Sequence, residues 1–192
     1  MKRFLLLMAL AYLPLWNGFA QEAATVIPIL NPQFQLDTLA CSPGSNCNYP
    51  NISGWTVGPQ TGILKASAVQ YPGTSSSGIY VAYIGGSQAT GSISQTLGAT
   101  VQANTTYTVT VRIGARNDEV FTGYVAVLAA GNVTLASGDS SIPLGGKFVN
   151  EVFMYNSGPT PPQLGQPLQI FIQSMGTGQV NVSNVVLTYK PE

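Results

Sequence analysis

The chain has 192 residues and a formal net charge of zero at pH 7, and only 7% of its residues are charged. That length suffices for one domain with its own hydrophobic core. The sequence contains no basic patch, so nucleic acid is not an expected partner. It also contains no histidine, which excludes a Ser-His-Asp or Cys-His catalytic arrangement.

Residues 1–20 have the pattern of a secretory signal peptide. Lys2 and Arg3 form a positive amino-terminal region, an apolar run covers 4–15, and small residues follow where a signal peptidase cleaves. The apolar run is too short to span a bilayer, and no later stretch is long and apolar enough to do so. We therefore predict a mature single domain over 21–192 that is secreted, either outside the cell or into the periplasm, with no transmembrane segment.

Two cysteines, Cys41 and Cys47, flank a short Pro-Gly loop. In an oxidising compartment, such a close pair predicts a small disulfide ring. A zinc site would need further ligands of this kind, and the spacing is not that of a C-x-x-C redox motif.

Short apolar or alternating segments, separated by glycine and proline, predict strands along the whole mature chain. In order, the predicted strands cover 25–30, 55–57, 63–69, 79–84, 92–96, 107–113, 123–129, 132–136, 147–155, 168–174 and 179–189. No segment predicts a helix, and no repeat or domain boundary is present. The fold class is therefore predicted to be all-β, a single jelly-roll β-sandwich of about eight to ten antiparallel strands.

The stretch 93–118 organises this pattern, because it predicts a hairpin of two strands around a polar turn at 102–105. Its second strand alternates strictly. Tyr107, Val109, Val111 and Ile113 lie on one face, and Thr108, Thr110 and Arg112 lie on the other. A period of two predicts that the apolar face is buried and that the other face meets solvent or a ligand.

Four segments in order resemble the jelly-roll sandwiches of the galactose-binding-like superfamily. They are Ile29–Gln35 (ILNPQFQ), Ile52–Trp55 (ISGW), the SQTL and TTYTVTVRIGARND parts of the stretch just described, and Val180–Leu187 (VNVSNVVL). The superfamily includes carbohydrate-binding modules of families 4, 9 and 22 and domain-of-unknown-function family 642. Such motifs indicate a fold more specifically than an activity.

The resemblance implies a non-catalytic protein that binds a polysaccharide or glycan on the outer face of one sheet. In strand 123–129 we take Val125 and its alternate neighbours as core, which places Tyr124 outside. In strand 147–155, either the set with Phe148 or the set with Val149 faces the core; the first choice places Glu151 and Tyr155 outside. The predicted ligand-binding residues are Arg112, Tyr124, Glu151, Tyr155, Phe171 and Gln173. The alternative is that these aromatic side chains simply fill the sandwich.

The resemblance also implies a structural calcium ion between the first and last strands, held by carboxylates. This sequence has Gln35 and Asn184 where the family has acids, and Asp37 is the nearby carboxylate. Because calcium affinity depends on the number of charged ligands, the cofactor is expected to be absent, or at most a calcium ion on these residues.

Sugar binding is not the sole function class that this sequence brings into question. The acidic residues do not provide the paired carboxylates of a glycosidase. The sequence is similar to calcium-dependent Stig-type terpenoid-indole cyclases, which use an acid and a tyrosine in an apolar pocket. Asn184 stands where their acid is expected, although Asp118 or Glu151 could replace it. The last alternative is a structural cell-wall or matrix protein without a small ligand.

Overall fold

Twelve β-strands form the fold of residues 23–37 and 41–192, which the computed structural model describes. They are β1 (Thr25–Ile27), β2 (Ser45–Asn48), β3 (Thr56–Val57), β4 (Thr61–Ala66), β5 (Ile79–Ile84), β6 (Ser92–Thr100), β7 (Thr105–Ala115), β8 (Tyr124–Ala130), β9 (Val133–Gly138), β10 (Lys147–Asn156), β11 (Pro167–Ser174) and β12 (Val180–Pro191). The predicted signal peptide lies outside the described residues. Within the described part of the chain, no helix could cross a membrane.

The strands form two antiparallel sheets. Sheet one has seven strands in the order β10-β7-β12-β5-β4-β2, with β1 also pairing with β12, and sheet two has the order β3-β6-β11-β8-β9. The predicted all-β sandwich is confirmed. The short strand β2 was predicted to be loop, because its sequence SNCN lacks apolar alternation; pairing with β4 makes it a strand.

The predicted hairpin of β6 and β7 is not a hairpin. β6 pairs with β3 and β11 in sheet two, whereas β7 pairs with β10 and β12 in sheet one. The connection therefore crosses from one sheet to the other. Local sequence signals a turn and the faces of two strands, but it does not determine whether those strands bond to each other.

The inner faces of the sheets form the core, and the sequence predicted some of them correctly. The alternate residues of β7 from Tyr107 to Ile113 are buried, as are Leu168, Ile170 and Ile172 of β11. In β8 the prediction was wrong, because Tyr124, Ala126 and Leu128 face the core and Val125 and Val127 face outward. Both faces of this strand are apolar, so alternation alone did not distinguish them.

Strand β10 also faces the opposite way from the prediction, which had placed Phe148, Val152 and Met154 in the core. Glu151 and Phe153 are buried between the sheets, whereas Val152 and Met154 are exposed. Register supports this, since Glu151 lies opposite Val111 and Phe153 lies opposite Val109, both of them core residues of β7. An inward carboxylate in an edge strand has no signature in the sequence.

The cysteine ring is confirmed. Cys41 and Cys47 are joined by a disulfide with a Cα–Cα distance of 5.6 Å. The Nζ of Lys65 in β4 donates a 3.1 Å hydrogen bond to the carbonyl oxygen of Cys41, which ties the ring to sheet one.

Candidate functional site

The six predicted ligand-binding residues do not share a face. Arg112 is exposed on the outer face of sheet one, whereas Tyr124 and Glu151 are buried between the sheets. Tyr155 is half-buried on the inner side of β10 and stacks on Tyr107 at 6.2 Å. The pair on β11, Phe171 and Gln173, lies half-buried on the outer face of sheet two. The prediction of one shared face is therefore wrong, and Arg112 is the predicted residue that lines the two cavities described next.

Two adjoining cavities meet at Arg112. The aromatic cavity has a volume of about 470 Å³ and is lined by Tyr71, Pro72, Gly73, Thr74, Ser75, Ile79, Arg112, Gly146, Lys147 and Phe148. The amide cavity has a volume of about 320 Å³ and is lined by Gln33, Gln35, Gly78, Ile79, Tyr80, Arg112, Ser183 and Asn184. Arg112 and Ile79 belong to both linings, so a ligand in one cavity reaches the edge of the other.

Strand register sets the positions of the central residues. Arg112 of β7 lies opposite Asn184 of β12 on one side and opposite Asn150 of β10 on the other. The β7–β12 register shifts between Val182 and Asn184, which marks a β-bulge at the cavity wall. Bulges are frequent next to active sites, where they re-aim side chains.

An aromatic stack forms the wall of the aromatic cavity. The rings of Tyr71 and Phe148 stack with their centroids 4.2 Å apart, and the guanidinium carbon of Arg112 lies 4.9 Å from the Phe148 centroid. Gly114 makes this arrangement possible, because a Cβ there would lie 2.6 Å from the Tyr71 hydroxyl and would also collide with the Phe148 ring. A cation over an aromatic face is electrostatically favourable.

Several buried polar atoms near this wall have no hydrogen-bond partner among the described residues. They are the Tyr71 hydroxyl, both amide atoms of Asn181 and the Ser183 Oγ, besides Thr122 elsewhere. Asn181 lies opposite Gly114 in the β7–β12 register. Since buried polar groups normally find partners, these atoms mark positions where polar groups of a ligand or of water are expected.

The ionisation of the site follows from burial and charge. Burial raises the pKa of the Tyr71 hydroxyl well above its ordinary value, so the phenol stays neutral and remains a hydrogen-bond donor. Arg112 and Lys147 are the charged residues that line the aromatic cavity, and among the described residues no carboxylate lines either cavity. The arrangement can bind a flat aromatic ring and donate hydrogen bonds, but it offers no carboxylic acid to a ligand.

The predicted calcium ligands do not form a fitting donor set. Gln35 and Asn184 both line the amide cavity, but Asp37 does not. Its carboxylate instead accepts hydrogen bonds from the Ser53 backbone N–H at 2.8 Å, the Ser53 hydroxyl at 2.5 Å and the Asn31 amide at 3.3 Å. Residues 23–37 and 41–192 also contain no group of three or more acidic, cysteine or histidine residues suited to a metal ion. Neutral amides without carboxylates are a poor match for Ca²⁺.

A family model described as HpiC1-like, HpiC1 cyclase, matches residues 25–188. The chain belongs to the HpiC1-like family. No curated protein matches it significantly.

Among solved structures, the chain is similar to the Stig cyclase Fisc from Fischerella sp. TAU in complex with (3Z)-3-(1-methyl-2-pyrrolidinylidene)-3H-indole. The identity is 25% and the TM-score 0.77, over 88% of this chain and 99% of that one. A cyclase from the same organism, in complex with 4-(1H-indol-3-yl)butan-2-one, is 26% identical with a TM-score of 0.73, over 88% and 98% of the chains. TmCBM61 in complex with β-1,4-galactotriose is 14% identical with a TM-score of 0.55, over 84% and 97%, and shows a shared fold alone.

The family match overturns the predicted main function. The prediction of a non-catalytic carbohydrate-binding protein is wrong, because the chain matches a cyclase family along most of its length. The jelly-roll likeness to sugar-binding modules holds for the fold. The motifs that suggested sugar binding describe the sandwich and not the ligand, as is general for widely shared folds.

The predicted site residues do not include Tyr71 and Phe148, the two aromatic residues that form the cavity wall. Tyr71 lies in the loop between β4 and β5, which offers no periodicity, and Phe148 was placed in one of the two possible core sets of its strand. One feature of the sequence pointed to them. Gly114 follows Arg112 on the outward face of β7, the strand with the strictest alternation. Glycine inside a strand often marks a place where another group approaches closely, and here the aromatic stack does so.

Proposed function

We propose that this protein is a Stig-type cyclase that takes an indole-bearing small molecule into the aromatic cavity. The observation that carries the proposal is the stack of Phe148 and Tyr71 beside the Arg112 guanidinium. Flat aromatic ligands favour such walls, and two cyclase structures to which this chain is similar are complexes with indole compounds.

The side chains of the cavity would act mainly by binding and orientation. Phe148 presents a ring to the indole, and the neutral Tyr71 hydroxyl is an unpartnered donor for a polar substituent. Arg112 supplies a planar fork of hydrogen-bond donors and a positive charge beside the Phe148 ring. Holding a flexible chain with its reacting carbons in contact lowers the entropic part of a cyclisation barrier.

A second candidate is a family member that binds an indole compound without turning it over. The observation in its favour is that no carboxylate among the described residues lines either cavity. Asn184 lies on the cavity wall where the resemblance implies an acid, and a neutral amide cannot donate a proton as a carboxylic acid does. The substitutes considered, Asp118 and Glu151, lie outside both linings.

Calorimetry with 4-(1H-indol-3-yl)butan-2-one tests the binding step in the mature protein. We expect Phe148→Ala to raise Kd about tenfold, which corresponds to about 1.4 kcal/mol. Arg112→Gln is expected to act in the same direction, because it removes the cation. Val152→Ala, an exposed residue on the outer face of β10 outside both linings, serves as the matched control and should leave Kd unchanged. No binding by the unsubstituted protein would refute both candidates.

Turnover separates the two candidates. Incubation with an indole-bearing terpenoid substrate, followed by chromatography and mass spectrometry, should reveal a product of unchanged mass and altered retention. If the protein is a cyclase, Asn184→Asp places a carboxylate on the cavity wall and should raise the rate of product formation. Tight binding with no product from either form would establish the non-catalytic candidate.

We also propose that the domain is exported. The Cys41–Cys47 disulfide supports this proposal, because disulfides persist mainly in oxidising compartments. Amino-terminal sequencing of protein recovered outside the cytoplasm should find a chain that begins after Ala20. Retention of residues 1–20 on a cytoplasmic protein would contradict it.

A further inference from the structure

The wall of the aromatic cavity depends on a loop, residues 67–78, here called the cavity loop. It connects β4 to β5 and contributes Tyr71, Thr74 and Ser75 to the lining. Its internal backbone bonds are local: Tyr71 N–H donates to the Ser67 carbonyl at 2.9 Å, and Gly78 N–H to the Ser75 carbonyl at 2.9 Å. Such turns fix local shape, but an attachment to the sheet must fix where the loop sits.

Gln70 provides that attachment. It is only 6% exposed, and its Oε1 accepts hydrogen bonds from the Ser67 backbone N–H at 2.8 Å and the Ser67 hydroxyl at 2.5 Å. Its Nε2 donates to the Asp118 carboxylate at 3.4 Å, and its backbone carbonyl accepts from Asn117 N–H at 3.0 Å. One side chain thus bonds to the start of the loop and to the segment after β7.

Asp118 is itself held in place. Arg116 donates to its two oxygens from Nε and Nη2, both at 2.8 Å, and forms an ion pair with it. The Nη1 of Arg116 donates to the Oε1 of Gln179 at 2.7 Å, and Gln179 is 6% exposed just before β12. Fork-to-carboxylate pairing is both strong and directional.

We infer that Gln70, bonded to the Arg116–Asp118 pair, is a positioning residue that holds the cavity loop and its Tyr71 ring in the aromatic cavity. Neither Gln70, Arg116 nor Asp118 lines that cavity, so they act through Tyr71 rather than on a ligand. The functional part of this inference rests on the proposed function. The mechanical part, that the network immobilises the loop, stands independently of any ligand.

Amide hydrogen exchange tests the mechanical part. Gln70→Glu keeps the acceptor for Ser67 but sets a second carboxylate against Asp118, so exchange in 67–78 should rise about tenfold while other segments keep their rates. The double variant Gln70→Glu with Asp118→Asn reverses donor and acceptor between these two positions, although Arg116 Nη2 loses the oxygen to which it donated, and should lower exchange again towards the original rate. Val111→Ala, a core change on the inner face of β7, controls for general destabilisation and should not raise exchange selectively in 67–78.

Two results would overturn the inference: unchanged exchange in 67–78, or an equal rise throughout the domain. If Gln70→Glu does not fold, Asp118→Asn alone replaces it, since that side chain is 36% exposed and the change is isosteric. The expected result is again a rise confined to 67–78, and its absence counts against the inference.

Binding of 4-(1H-indol-3-yl)butan-2-one tests the functional part. Gln70→Glu should raise the Kd for this compound about tenfold, and the double variant should lower the Kd again. Val111→Ala should leave the Kd unchanged when binding is measured well below the melting temperature of that variant. A weakened Kd without recovery in the double variant would contradict the positioning role. If the unsubstituted protein does not bind this compound, the proposed function fails, and the exchange data still decide whether Gln70 anchors the loop.

Discussion

The Tyr124 hydroxyl donates a 2.6 Å hydrogen bond to Oε2 of Glu151, and this bond joins the two sheets of the sandwich. Tyr124 lies on β8 of sheet two and Glu151 on β10 of sheet one, and both are buried. The Ser141 backbone N–H donates to the same oxygen at 2.7 Å. The buried Glu151 carboxylate thereby has hydrogen-bond donors on its Oε2 atom. The two residues stabilise the packing of the sheets and do not form the surface binding site that the sequence suggested.

Removing the tyrosine hydroxyl should destabilise the domain. Tyr124→Phe keeps the ring in the core but takes away one donor from a buried carboxylate, so we expect a loss of about 1–3 kcal/mol in the free energy of unfolding. Urea titration measures it. Tyr155→Phe, which removes a hydroxyl on β10 outside this pair, is the control and should change stability by less than about 0.5 kcal/mol. Equal losses in the two variants would contradict the inter-sheet role.

The same pair predicts a loss of stability in acid. Burial by itself would raise the pKa of Glu151, but hydrogen bonds from Tyr124 and Ser141 outweigh it, and the pKa lies below its usual 4.5. A carboxyl with a depressed folded-state pKa stabilises the fold above its unfolded-state pKa, and that stability is lost as pH falls through the folded value. The melting temperature should therefore drop below about pH 4.5.

Glu151→Gln isolates this contribution, because the amide does not titrate. We expect a lower melting temperature at pH 7 and a shallower fall towards pH 3 than in the unsubstituted protein. Asp118, whose pKa is also lowered, first of all by its hydrogen bonds with Arg116, contributes acid sensitivity of the same sign and remains in both proteins. An identical acid slope in the two proteins would show that Glu151 does not carry the effect.

Chelation should have little effect on stability. The Asp37 carboxylate is hydrogen-bonded to Ser53 and Asn31, and the side-chain amides of Gln35 and Asn184 carry no charge. We therefore expect EDTA to shift the melting temperature by less than about 1 °C. Thermal melts with EDTA, and then with excess calcium, provide the measurement. A large drop with EDTA that calcium reverses would show that carbonyl oxygens suffice to hold the ion.

Strong local patterns predicted much of the fold. Strict alternation in β7 identified its buried face, and β5, apolar on both sides, lies between β12 and β4 inside sheet one. Where a strand is apolar on both faces, as β8 is, the alternation of residues does not indicate which face is buried. The Tyr124 ring was therefore predicted on the wrong face of the strand. Its orientation depends on a partner across the core, Glu151, that is remote in sequence.

The sequence by itself determined the class of fold, the disulfide between Cys41 and Cys47 and the outward position of Arg112, because each follows from contacts between near neighbours or from a strict period of two. Only the tertiary structure decided the candidate site. Phe148, Tyr71 and Asn184 come from β10, the cavity loop and β12, and they surround Arg112 because β7 lies between β10 and β12 in sheet one. Strand order is fixed by the burial of the whole sandwich, so no local segment encodes which distant side chains will share a cavity.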